Sequence, residues 1–227
     1  MAKGKPLTRT LPAYTPDFSF EDRHKGHVCG LDEAGRGPLA GPVVAAAVII
    51  RRRDMPADIL AQINDSKKLN ATKRDFLYKK IREYSYVSVG VCEVDEIDRL
   101  NILQASLLAM RKAHVKLLKL VETPPVAALI DGNMRAKLGG EIEEITIVKG
   151  DARSYSIAAA SIIAKHYRDE IMKKHAEQFP QYGWARNAGY GTATHLKALE
   201  IHGVTPLHRR SFSPVAERLD KQNSANN

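Results

Sequence analysis

The order in which strand-like and helix-like segments follow one another constrains the fold of this chain more than any other feature. Residues 28–31 form a short apolar strand that runs into Asp32 and Glu33. Residues 43–50, rich in Val and Ile, form a second strand and pair with the first as a hairpin across a glycine-rich turn. Residues 86–94 give a third strand. Between the second and third lie a basic polar segment, residues 64–70, and a helix over residues 71–84. Residues 102–121 repeat apolar side chains at three and four positions and read as a strong amphipathic helix, stopped by Pro124 and Pro125. The wholly apolar residues 126–130 then end on Asp131-Gly132-Asn133, a buried strand with a carboxylate at its carboxyl end. A strand over residues 144–148 leads to Lys149-Gly150-Asp151, where a long helix opens and continues to Gln178. A glycine-rich turn, residues 183–191, precedes a last helix over residues 192–202.

Strands in an early meander, then strands alternating with helices, give an α/β domain with a mixed β-sheet flanked by helices. The expected organisation is a basic, disordered N-terminal arm over residues 1–26, a main α/β domain over residues 27–180, a C-terminal helical extension over residues 181–218 and a disordered tail over residues 219–227. At 227 residues the chain buries a sizeable core without staples. Its longest apolar run is strand-sized, far short of the ~20 residues that span a bilayer, so no membrane association is expected. The arm carries Gly4, Pro6, Pro12 and Pro16 and lacks the apolar core of a secretory signal. Cys29 and Cys92 sit in apolar, β-like contexts and read as buried reduced thiols, which suits a cytoplasmic protein. A monomer is expected. The net charge of +9 makes a polyanion the natural partner, because phosphates exchange their counterions for Lys and Arg. Charge alone leaves a solvated basic surface equally open.

Acids decide more. Asp32, Glu33 and Asp131 stand at strand ends, where α/β sheets place their sites, and Asp151 opens a helix. A single acid in such a place is usually a helix cap. Four in one pocket would repel and raise one another's pKa values. A divalent cation removes that penalty, and hard oxygen ligands suit magnesium or manganese. Neighbours on a strand point to opposite faces, which argues against Asp32 and Glu33 sharing a site. Gly35 and Gly37 offer a way out, by letting the backbone leave strand geometry just after Asp32 so that Glu33 turns inward.

The stretch from Gly30 to Val43, reading Gly-Leu-Asp-Glu-Ala-Gly-Arg-Gly-Pro-Leu-Ala-Gly-Pro-Val, resembles the signature of ribonuclease HII. So do Asp65-Ser66-Lys67-Lys68-Leu69, Asn101-Ile102-Leu103, Asp131-Gly132-Asn133 and Lys149-Gly150-Asp151. Residues 157–165, then Tyr167-Arg168-Asp169, Gly189-Tyr190-Gly191-Thr192 and His208-Arg209-Arg210-Ser211-Phe212, continue the match in order across residues 28–215. The resemblance implies the ribonuclease H fold, hydrolysis of the RNA strand of RNA–DNA hybrids, and incision on the 5′ side of a ribonucleotide embedded in duplex DNA. It implies 3′-hydroxyl and 5′-phosphate ends. It makes Asp32, Glu33, Asp131 and Asp151 the catalytic metal ligands, for Mg2+ or Mn2+. Two ions about 3.5–4 Å apart can activate a water and hold the leaving oxygen.

Such an enzyme distinguishes RNA from DNA by one hydroxyl, which both donates and accepts a hydrogen bond. Gly35-Arg36-Gly37 matches the family's loop for this task, with Arg36 suited to a bidentate grip on the adjacent phosphate. Tyr190 resembles the tyrosine that stacks on the sugar following the ribonucleotide. Lys67 and Ser154 are expected as phosphate contacts. Arg168-Asp169 reads as a surface or structural ion pair, and Lys165 as support. Asn187 and Ala188 replace the His-Lys that many members carry, so a basic contact is expected to be missing. His202 and His208 lack the accompanying Cys pairs of a zinc site. Two other readings fit part of the pattern. A basic module that binds nucleic acid without cutting explains the charge but not the acids. Another two-metal nuclease on a related fold explains the acids but not Gly35-Arg36-Gly37 with Tyr190.

Overall fold

The computed structural model describes residues 14–225 of the chain. Five strands form one sheet: β1 Val28–Ala34, β2 Val43–Ile50, β3 Ser85–Cys92, β4 Ala127–Asp131 and β5 Glu143–Ile147. Their order is β3-β2-β1-β4-β5. The first three run as an antiparallel meander, and β1, β4 and β5 are parallel. The sheet is therefore mixed, as the alternation of segments requires. The helices are α1 Ala57–Leu60, α2 Ala71–Glu83, α3 Val94–Leu100, α4 Ile102–Leu118, α5 Tyr155–Gln178, α6 Trp184–Asn187, α7 Ala193–His202 and α8 Ser213–Ala225.

Two helical layers cover the sheet. One core lies under α4, where Met110, Ala113 and Leu117 meet Cys29, Leu31, Ala45, Ala47 and Ile130. The other lies under α2 and α5, where Leu77, Ile81, Ala159 and Ile163 meet Ala46, Val48 and Ile50. Burial on both faces explains why every residue of β2 is apolar and buried. Close approach explains Gly30: a Cβ there would lie 2.1 Å from the backbone carbon of Ser156, so α5 rests on β1 only because no side chain intervenes. Cys29 and Cys92 are both free and buried in the α4-side core, and burial pushes the Cys29 thiol up to about 12.

Several expectations need correction. Residues 14–26 do not form a disordered arm. Phe18 packs on Tyr155 with ring centroids 4.9 Å apart, Asp17 bridges to Ser154, and Glu21 is buried, accepting hydrogen bonds from the Ser154 hydroxyl and the Ser156 N–H. Residues 1–13 of the expected arm lie outside the described residues. The tail expected from 219 is helical as far as Ala225, in α8, with Val215 buried beside Leu39 and Leu199. The expected start of the long helix at Asp151 is also displaced. Ser154 is the N-cap of α5, and Asp151 lies upstream in a separate 3-10 turn, Gly150–Ala152. Short α3, not anticipated, is closed by a reciprocal Glu93–Glu96 capping box.

Candidate functional site

The acids gather where β1 and β4 separate. Pairing between them stops at Leu31 and Ile130, while β1 continues through Ala34 against β2. The strand thus does not end after Asp32, and the glycines are not what turns Glu33. By alternation Asp32 faces the α5 side and Glu33 the α4 side. Both nevertheless line one cavity of about 370 Å3, because it opens at the end of the sheet, past the last β4 pair. Asp131, the last residue of β4, lines it too, together with Ala34, Gly35, Arg36, Gly37, Ser66, Lys67, Ser161, Lys165, Arg168 and Tyr190.

Asp151 stands behind this group. Lys67 Nζ lies 3.8 Å from its Oδ2, and Asp131 Oδ1 accepts the N–H of adjacent Gly150 at 2.7 Å. Asp32 Oδ1 accepts the Glu33 N–H at 2.7 Å, and Arg36 Nη1 donates to Glu33 Oε1 at 3.3 Å.

The electrostatics are those of crowded acids in a poorly hydrated place. Burial pushes the Asp32 carboxyl well above its usual range, and Glu33, Asp131 and Asp151 push it further. Burial likewise raises Glu33, opposed by Arg36 and reinforced by Asp131. Asp151 is pushed up to about 6, by burial first and then by Asp65 and Asp131, with Lys67 pulling the other way. Lys67 is pulled down by burial, but Asp151 and Asp32 outweigh that and hold it above its ordinary value.

The donor set fits a hard divalent cation. Three carboxylates line the cavity with Asp151 behind them, no sulfur or imidazole stands among them, and the charge they share is the kind a magnesium- or manganese-sized ion neutralises. The ligand cage is not closed: among the described residues no group of three or more His, Cys, Asp or Glu side chains is drawn together as a metal site. Asp131 accepts the Gly150 amide, and Glu33 accepts from Arg36.

The loop over residues 35–42 is held by two buried arginines: Arg209, which sequence reading left without a role, and Arg168, which it read only as an ion-pair partner of Asp169. Arg209 donates to the carbonyls of Gly35 at 2.6 Å, Arg36 at 2.9 Å, Gly41 at 2.9 Å and Pro42 at 3.1 Å. Arg168 donates to Pro42, Ala40 and Ala188. Neither relies on a carboxylate. Burial pulls Arg168 down to about 10 and Arg209 down to about 9. Gly35 has φ +100°, and a Cβ there would lie 2.0 Å from Arg168 Nε, so only glycine lets the guanidinium reach the loop. Arg209 stood in a recognisable motif, but only its burial reveals its task. Arg168 does not pair with Asp169, whose partners are Arg74 and Lys165.

Tyr190 is 46% exposed, and a Cβ on Gly37 would lie 3.5 Å from its ring. The sugar-reading candidates of the two distant motifs therefore adjoin. Ser154 does not join them. It is fully buried, donating to Glu21 and capping α5 by accepting the Ile157 N–H, so its expected phosphate contact is overturned. Asn187 is turned inward, accepting the Gly189 N–H at 2.9 Å and donating to the Tyr182 carbonyl at 2.8 Å. It shapes the turn that carries Tyr190. Ser66, unassigned from sequence, meets Ser161 at 2.7 Å and fixes the Lys67 turn to α5.

Comparison with known proteins bears on this arrangement. The profile of the family described as Ribonuclease HII matches residues 29–215. A ribonuclease HII of Rhodospirillum rubrum is 52% identical over 207 residues, 90% of this chain and 92% of its own. The ribonuclease H2 of Pyrococcus horikoshii superposes with a TM-score of 0.72 at 25% identity, covering 87% of this chain and 99% of that one. Bst-RNase HIII, solved in complex with Mn2+, gives the same TM-score at 22% identity over 87% of this chain and 70% of its own, a likeness of fold alone.

Proposed function

This chain belongs to the ribonuclease HII family, metal-dependent endoribonucleases acting on the RNA strand of RNA–DNA hybrids, and from that premise we propose that it also incises duplex DNA 5′ of a single embedded ribonucleotide. The observation that carries the reading is the shared cavity. Asp32, Glu33 and Asp131 line it together with Gly35, Arg36, Gly37, Lys67 and Tyr190, so acids and sugar-reading candidates face one substrate.

Asp32, Glu33, Asp131 and Asp151 would hold Mg2+ or Mn2+. Bound there, a pair of such ions would supply an activated water and charge stabilisation for the leaving 3′ oxygen. The chain's own groups do the rest. Arg36, 51% exposed at its side chain, exchanges Glu33 for the phosphate beside the ribonucleotide. Lys67, on its own short turn, meets the scissile phosphate. The backbone of Gly35–Gly37, with the Gly35 and Arg36 carbonyls held by Arg209, would bond the 2′-hydroxyl. Tyr190 packs against the next sugar, where an extra hydroxyl would be in its way. Attack by water on the phosphate 5′ of the ribonucleotide, with the P–O3′ bond breaking and the 3′ oxygen leaving as a hydroxyl, gives 3′-hydroxyl and 5′-phosphate ends.

The chain is expected to act as a monomer in the cytoplasm. Its two free thiols suit that compartment, and no helix among the described residues is long and apolar enough to cross a membrane.

The test is a DNA duplex with one ribonucleotide, offered with Mg2+ or Mn2+ to the wild type and to Asp32→Asn. Incision 5′ of the ribonucleotide should fall at least ~100-fold in the variant, since a ligand to transition-state charge is removed. Binding without cutting would favour the binding module. Equal cutting of an all-DNA duplex would favour another nuclease of this fold.

A further inference from the structure

We propose that His195 and His208 form a neutral, proton-ordered pair that fixes the Tyr190 carbonyl and thereby aims the Tyr190 ring at the substrate, a proposal that rests on the reading of Tyr190 given above. Tyr190 is half exposed, so packing alone does not set the direction of its ring. Its backbone sets where the Cα–Cβ bond points. The Tyr190 N–H donates to the Asn187 carbonyl at 2.9 Å, and its carbonyl accepts the Thr192 N–H at 2.8 Å. The His195 Nδ1 lies 3.0 Å from the same carbonyl.

The direction of every proton in the pair follows from its ends. His208 Nδ1 accepts the Thr205 N–H at 3.0 Å, with the Thr205 hydroxyl 2.9 Å away. A nitrogen that accepts a backbone N–H carries no proton, so a neutral His208 bears its proton on Nε2. That Nε2 lies 3.1 Å from His195 Nε2 and donates to it. His195 Nε2 also accepts the Trp184 Nε1–H at 3.1 Å, and indole only donates. His195 is left with its proton on Nδ1, directed at the Tyr190 carbonyl, which only accepts. One neutral assignment gives every donor an acceptor, with the lone pair of His195 Nε2 shared between Trp184 and His208. A proton added to either ring would set two donors against each other.

Both histidines are fully buried, among Trp184 and Tyr182, whose rings stack 5.0 Å apart. Burial, followed by His195, pulls His208 down to about 4, and burial lowers His195 as well, the direction that a neutral pair requires. Neither histidine lines the acid cavity. They are positioning residues, not catalytic ones.

Two substitutions at one position separate positioning from stability. An asparagine amide can occupy the place of Nδ1 and donate to Tyr190, while a glutamine amide reaches the place of Nε2 and leaves the Tyr190 carbonyl without that donor. The readout is the ratio of incision at a single embedded ribonucleotide to cleavage of a long RNA–DNA hybrid, with Tm measured alongside. His195→Gln should lower the ratio about tenfold, the equivalent of one lost hydrogen bond, and His195→Asn should keep it within about twofold. Equal loss on both substrates in both variants would show a structural role only and overturn the proposal. Tyr190→Ala is the control. If it lowers the ratio and His195→Gln does not, the positioning proposal alone falls; if it leaves the ratio unchanged, the reading of Tyr190 falls and takes the proposal with it. The wild type offers a check that needs no variant. Long-range ¹⁵N spectra at pH 7 should show His195 protonated on Nδ1 and His208 on Nε2; the reverse tautomers, or an imidazolium, would also overturn it.

Discussion

At the scale of single residues, crowding and burial act most strongly on the acids. Asp151 has its carboxyl raised to about 6 in the folded chain, against an ordinary 3.8. A raised acid binds more protons folded than unfolded, so its contribution to stability is fullest below 3.8 and is lost as pH rises through 6. Neutral, buried His208 acts in the opposite sense, so the effect is read as a difference: between pH 4 and pH 8 the metal-free wild type should lose stability relative to Asp151→Asn as pH rises. Asp151→Asn should melt higher than the wild type at pH 7, and a difference that does not change with pH would remove Asp151 from this account. Arg209 is the opposite case, a buried charge whose partners are backbone carbonyls. Arg209→Met should cost at least ~3 kcal/mol in denaturant unfolding, because buried acceptors left unpaired cost about 1–3 kcal/mol each. Arg209→Lys should recover part of that cost but not the geometry of Gly35 and Arg36, which four separate bonds now define.

At the scale of elements, the site depends on how near α5 lies to β1. The Gly30 position allows no Cβ against the Ser156 backbone. Gly30→Ala should push α5 outward and cost ~1–3 kcal/mol, the usual range for overpacking. It should also reduce incision more than that loss of stability explains, because Asp32 lies two residues on along β1 while Ser161 and Lys165 of α5 line the same cavity. Activity measured well below the melting temperature decides it: wild-type turnover in a destabilised Gly30→Ala protein would mean that the spacing serves stability alone. Most element bounds were legible in the pattern of apolar residues. The helix over residues 71–84 and the strand over residues 144–148 fall within a residue of α2 and β5. The start of α5 was not legible, because Ser154 and Asp151 are both good caps in sequence and only Ser154 is in reach of the Ile157 N–H. Short α3 escaped because seven residues carry too little period to separate from a loop.

At the scale of the whole molecule, the net charge of +9 coexists with a strongly acidic cavity. Lysine and arginine elsewhere on the surface must then bring in the phosphates, while the acids wait for cations. Affinity for a catalytically silent duplex, measured with Asp32→Asn, should fall linearly on a log–log plot against salt, with a slope close to the number of phosphates neutralised. A flat plot would mean that the charge has no part in binding. The segment at residues 14–26 belongs to this scale as well. Its Phe18 and Glu21 tie the beginning of the described chain to the first turn of α5, behind the acids.

The sequence by itself determined the mixed sheet with its helices, the identity of the acids and the family, because periodicity and ordered motifs are local and survive without coordinates. Only the tertiary structure decided which candidates meet. Glu33 joins Asp32 because β1 outruns β4, not because glycines bend the strand after Asp32. Ser154 leaves the site because Glu21, more than a hundred residues away in sequence, claims its hydroxyl. Arg168 and Arg209 enter because burial makes carbonyls their partners. In each case the deciding fact is a contact between residues far apart in the chain, and hydrophobic period and motif spacing carry no record of it.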